Sequence, residues 1–133
     1  VIEQRLSGSV FLMRHKLANK KLGRPTDQRI ALLRGLVSAL LWHGKVDTTA
    51  TRAKEARTVA EKLITLARED TNHHRREARK FLNDRDLVAH LFLRVAPTYR
   101  ERRGGYARII RTGVRRGDAA PTARLELVDY GKS

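Results

Sequence analysis

The chain has 133 residues, of which 41% are hydrophobic and only 5% aromatic, so it can build one core and that core should be aliphatic. Its 29 lysines and arginines face 14 acids, a formal net charge of +15; self-repulsion of that size suits a protein whose partner is a polyanion. With no cysteine there is neither a disulfide framework nor a thiolate metal site, and no apolar run approaches the roughly 20 residues of a membrane helix.

The first residues, VIEQRLSGSVFLM, hold a weak apolar stretch and no convincing cleavage site, so they do not read as a signal peptide. A soluble intracellular protein is expected. From Arg14 to Arg24 the sequence RHKLANKKLGR is basic with isolated apolar residues, and Gly23 and Pro25 punctuate it. Such a segment buries too little apolar area to offset its ordering entropy. Residues 1–25 are therefore expected to be an extension that orders on a partner, and residues 26–133 a single domain.

A first helix should begin at Thr26–Asp27, either of which can cap free N–H groups. Ile30, Leu33, Leu36 or Val37, and Leu40–Leu41 repeat at helical spacing, with Arg29 and Arg34 read as pointing away from that stripe. Gly44 is a natural stop. Lys45–Thr49, KVDTT, is rich in β-branched residues and predicts a short strand. Thr49 or Thr51 should cap a second helix running to about Glu69. Its stripe is Ala53, Ala56, Val59–Ala60, Leu63, Leu66 and Ala67; acids and bases interleave on its outer face, and Glu55 near its start suits the helix dipole.

After a turn at 70–72, His73–Leu82 predicts a short basic helix. Asp84 can cap a fourth, with the stripe Leu87, Val88, Leu91, Phe92 and Val95, limited by Pro97. Tyr106–Thr112 and Ala123–Asp129 read as strands joined by a long polar loop over Gly113–Thr122. Helices first and strands later give an α+β fold: several helices on a small, mostly antiparallel sheet.

No motif supports catalysis. There is no Walker-type glycine loop and no Gly-x-Ser-x-Gly turn. Asp84 and Asp86 stand where a helix cap is needed. His73 and His74 are adjacent, diverge on a helix and lack a third ligand at metal-site spacing. Arg116–Gly117–Asp118 spells an adhesion tripeptide, but a loop's need for a turn explains Gly117 better. No metal, cofactor, membrane or small-molecule substrate is expected, and no enzymatic activity.

The stretch RERRGGYARIIRTGVRRGD, residues 100–118, is the densest in arginine. Gly104 and Gly105 let the backbone approach another chain closely and present N–H groups to phosphate. Arginine's planar fork suits phosphates and stacks on bases. The basic clusters at 14–24, 75–80 and 100–116 are scattered along the chain. A DNA-binding regulator would gather base-reading groups on one helix, whereas a folded RNA touched at several places needs scattered basic surfaces and a flexible arm.

The residues also carry a resemblance. Met13–Arg14–His15, Leu22–Gly23–Arg24, Thr48–Thr49, Ala53–Lys54–Glu55, Leu63–Ile64–Thr65–Leu66–Ala67 and Arg75–Arg76 begin it. Leu91–Phe92, Ala96–Pro97, the run from Arg103 to Ile109, Arg116–Gly117–Asp118 and Glu126–Leu127–Val128–Asp129 complete it. In this order they are similar to the bacterial large-subunit ribosomal protein family numbered seventeen. The resemblance implies a cytoplasmic structural protein of the large subunit, bound to large-subunit ribosomal RNA and neighbouring ribosomal proteins near the nascent-chain tunnel exit. It implies a basic arm on RNA beginning at Arg14–His15 and an RNA-facing turn at Arg103–Tyr106. Residues 1–12 have no counterpart in the resemblance; an upstream start codon read as Val1, or a lineage-specific extension, would account for them.

Charge pattern and resemblance together nominate the RNA contacts. They are Arg14, His15, Lys16, Lys20, Lys21 and Arg24 in the extension, Arg29 and Arg34 on the first helix, and Arg75, Arg76 and Arg79 on the third. In the densest stretch they are Arg102, Arg103, Gly104, Gly105, Tyr106, Arg108, Arg111, Arg115 and Arg116.

Overall fold

The computed structural model describes residues 26–130. The extension 1–25, with its six nominated contacts, lies outside the described residues, as do residues 131–133. The elements run α1 (Thr26–His43), β1 (Lys45–Thr49), α2 (Ala50–Ala67), α3 (Asn72–Leu82), α4 (Arg85–His90), β2 (Ala107–Val114) and β3 (Pro121–Leu127). α4 continues without a break through a π-helical turn, Leu91–Val95, and a last turn, Ala96–Thr98. The fold is α+β, as the order of apolar patterns predicts: helices packed on one face of a three-stranded antiparallel sheet.

The helix starts are set by side chains. Thr49 accepts from Arg52 N at the start of α2, Thr71 from His74 N at α3, and Asp84 from Asp86 N and Leu87 N at α4. Each satisfies N–H groups that the helix leaves free. Gly44 ends α1 at φ +84, with its N–H on Leu40 O at 2.7 Å. Asn83 ends α3 in the left-handed region, at φ 59.

Strand β3 lies between β1 and β2. Ala123, Leu125 and Leu127 face the helices and are buried, while Arg124 and Glu126 face out. β2 adds Ala107 opposite Leu127 and Ile109 opposite Leu125 on the same inner face. The alanines of α2 (Ala53, Ala56, Ala60, Ala67) are all buried and bring that helix close to its neighbours.

Four expectations are corrected. Glu55 is buried rather than on an outer face. Arg29 is only 3% exposed, because 29, 33, 37 and 41 are spaced by four and share one stripe. Pro97 does not stop its helix before itself. The π turn at Leu91–Val95 widens the ladder just ahead of the proline, where a tight i−4 ladder would meet its ring, and the helix runs on to Thr98. Finally, the loop expected over 113–122 is short. β2 extends to Val114 and β3 starts at Pro121, with a bulge between Arg111 and Gly113 that absorbs one residue.

Candidate nucleic-acid interface

The nominated arginines divide into those the fold consumes and those it leaves free. Arg29 belongs to the core, and its Nε has no hydrogen-bond partner. Arg34 donates from Nε to Phe81 O and holds its guanidinium 5.6 Å from the Phe81 ring, pinning α1 to the end of α3. Arg29 therefore leaves the set of exposed RNA-binding candidates, while Arg34 is half-buried with its Nε committed to the fold. Arg75 forks onto Asp70, at 2.6 and 2.8 Å, and lies 5.2 Å from the Phe92 ring. That pair holds the Asp70 carboxyl below the usual carboxylate range.

On the outer face of the sheet, charge is matched. Arg124 forks onto Asp47, directly opposite on β1, and Arg108 meets Glu126 at 3.2 Å, directly opposite on β3. The Arg124 contact lowers the Asp47 pKa. At the hairpin tip Arg115 forks onto Asp118, which also accepts from Ala120 N. The Asp118 carboxyl falls to about 2 as a result, with the Arg115 hydrogen bonds the largest cause.

Against these stand exposed arginines with no acid partner among the described residues, among them Arg76 and Arg79 on α3, Arg85 on α4, Arg103 in the glycine turn, and Arg111 and Arg116 near the hairpin tip; Arg57, Arg94 and Arg100 are likewise exposed and unpaired with an acid. Arg85 was not nominated from sequence. It stands alone between two aspartates in Asp84–Arg85–Asp86, and only the packing of α4 on α3 brings it beside Arg76 and Arg79.

The glycine turn is built as the sequence suggests, except at Tyr106. Gly105 has φ +65 and open space around the position of a Cβ, and Gly104 is equally open. Neither N–H is bonded among the described residues, so both are available to an acceptor. Tyr106, expected to face RNA, is 0% exposed. Its ring packs 5.4 Å from Tyr99, and its hydroxyl meets Thr65, Arg68 and Arg102 O. Burial pushes the Tyr99 phenol up, and its O–H donates to Val128 O at 2.6 Å. Tyr106 thus anchors the turn from inside. The residues that help it were silent in the sequence: Glu61 accepts from Ala107 N, and Arg68 donates to Arg100 O.

No group of histidine and carboxylate side chains able to hold a metal occurs among the described residues. Among the described residues, no helix is long and apolar enough to cross a membrane.

A family profile described as Ribosomal protein L17 matches residues 32–128. A protein of Dictyoglomus thermophilum named "Large ribosomal subunit protein bL17" is 53% identical over 116 residues, covering 87% of this chain and all of the relative. A Clostridium botulinum protein of the same name is 55% identical over 109 residues, 82% of this chain and 96% of the relative.

Proposed function

The chain belongs to the ribosomal protein L17 family, and from that premise we propose that it is a structural constituent of the cytoplasmic large ribosomal subunit. In this role it binds large-subunit ribosomal RNA and abuts neighbouring ribosomal proteins, close to the nascent-chain tunnel exit, and it catalyses nothing. The observation that carries the RNA-binding part is the sorting of arginines. Those on the sheet face are matched by acids, while Arg76 and Arg79 on α3, Arg85 on α4, Arg103 in the glycine turn, and Arg111 and Arg116 near the hairpin tip stand free around the core. Free guanidinium groups and unbonded glycine N–H groups suit phosphate oxygens. Residues 1–25 add a basic arm that orders against the same RNA, beside the single domain of residues 26–133. Arg14, His15, Lys16, Lys20, Lys21 and Arg24 are its contacts.

A regulator reading duplex DNA would need a helix free to enter a groove. The long helices α1 and α2 instead bury their apolar stripes against each other and the sheet. The test is twofold: stoichiometry of the native protein in salt-washed large subunits, and affinity for large-subunit ribosomal RNA against duplex DNA. Retention at one copy per subunit and preference for the RNA are expected. Absence from washed subunits, or preference for duplex DNA of one sequence, overturns the reading.

A further inference from the structure

We propose that the groove between α3 and α4 is a discrete phosphodiester-binding site for RNA, with Arg76, Arg79 and Arg85 as its grip and Val88–Ala89 as its floor. This inference rests on the RNA-binding reading and adds to it a place and a set of residues.

The groove has a volume of about 260 Å³, below the usual range for drug-sized ligands, and suits a single ribose-phosphate unit. Its construction follows from local sequence. Thr71 caps α3 and fixes the helix phase, so Arg76 and Arg79, spaced i and i+3, lie on one side. Asn83 reverses the chain in the left-handed region and Asp84 caps α4, which makes Arg85 the first residue of that helix and sets it facing the same opening.

None of the neighbouring acids lines the groove. Asp70 is forked by Arg75, Glu77 is met by Lys80 at 3.0 Å, and Asp84 accepts backbone N–H groups. Asp86 is not part of the groove lining. Arg75 also lines the groove, but its guanidinium is committed to Asp70 and Phe92, so it acts as a wall that holds the floor in place. What remains is three uncommitted planar cations over an apolar floor. Guanidinium forks match phosphate oxygens, and the floor of Val88 and Ala89 suits the apolar side of a ribose. A peptide carboxylate would satisfy the charge but not use the floor.

The experiment measures the affinity of the full chain for large-subunit ribosomal RNA from 50 to 200 mM salt, with thermal unfolding alongside. Arg76→Ala, Arg79→Ala and Arg85→Ala combined should leave unfolding nearly unchanged and make the slope of log affinity against log salt shallower by about two to three. The corresponding triple lysine variant keeps the charges and should restore the slope. A wild-type slope in the alanine variant overturns the groove site and leaves the RNA-binding reading standing. If the wild-type chain itself fails to bind the RNA, the broader reading falls and this inference with it. Should the alanine variant lose its fold, Arg85→Ala alone is read in its place, with a slope change of about one expected and no change overturning the site.

Discussion

Thr65 Oγ1, in the last turn of α2, donates a hydrogen bond to the Tyr106 hydroxyl at 3.2 Å, across 41 residues of chain. That hydroxyl in turn reaches Arg102 O at 3.4 Å, so one phenol joins a helix to both ends of the glycine turn. The turn that displays Arg103 is held from beneath.

Tyr106→Phe should therefore keep the ring packing and lose these bonds. A loss of about 1 kcal/mol is expected, lowering the melting temperature by a few degrees. Circular dichroism against temperature measures it. An unchanged melting temperature would mean that the hydroxyl contacts contribute nothing net. Tyr106→Ala empties a fully buried site and should cost about 3–5 kcal/mol.

Arg103→Ala should weaken RNA binding with a stability change inside about 0.5 kcal/mol, because its side chain has no partner among the described residues. Arg108→Ala removes an exposed cross-strand pair with Glu126 as well, and exposed pairs contribute about 0.2–1 kcal/mol. Paired measurements of affinity and thermal unfolding separate the two effects. Normal RNA binding by both variants would reduce this arginine-rich stretch to a solubility device.

The two glycines of the turn should behave differently. Gly104→Ala meets open space, and Gly104 lacks the positive φ of its neighbour, so stability should hold while close approach of RNA is impeded. At φ +65, Gly105→Val strains the backbone, costing about 1–2 kcal/mol before any effect on binding. Equal destabilisation by both variants would contradict the turn geometry. Gly44→Ala should be worse than either, since its Cβ would lie 2.7 Å from the Tyr130 ring at φ +84.

Acid should weaken the surface ties in a defined window. The Asp118 carboxyl sits at about 2 against an ordinary 3.8, lowered chiefly by Arg115, and Asp47 and Asp70 are lowered by Arg124 and Arg75. A carboxylate whose folded pKa is depressed adds stability above its unfolded pKa and loses it as pH falls through the folded value. Asp118→Asn should be less stable than wild type at neutral pH and approach it near pH 2. A constant gap in melting temperature from pH 7 to 2 would remove the Arg115–Asp118 contact from the account.

The amino-acid sequence by itself determined the features that depend on near neighbours. Helical periodicity, the caps at Thr49 and Asp84, the stop at Gly44 and the alternation of Ala123, Leu125 and Leu127 are properties of residues within four positions of one another, and each is found. Net charge is additive, so the expectation of a polyanion partner rests on the sequence alone. The sequence gives the charge of every arginine but not its neighbours. Arg34 is consumed by Phe81, 47 residues away, and Asp47 by Arg124, 77 residues away. Tyr106, in a glycine-rich arginine stretch that reads as surface, is drawn under α2 by Thr65 and Tyr99. Arg85 joins Arg76 and Arg79 only because α3 and α4 pack at their joint. Which cations stay free is decided by contacts between distant segments, and those exist only once the chain has folded.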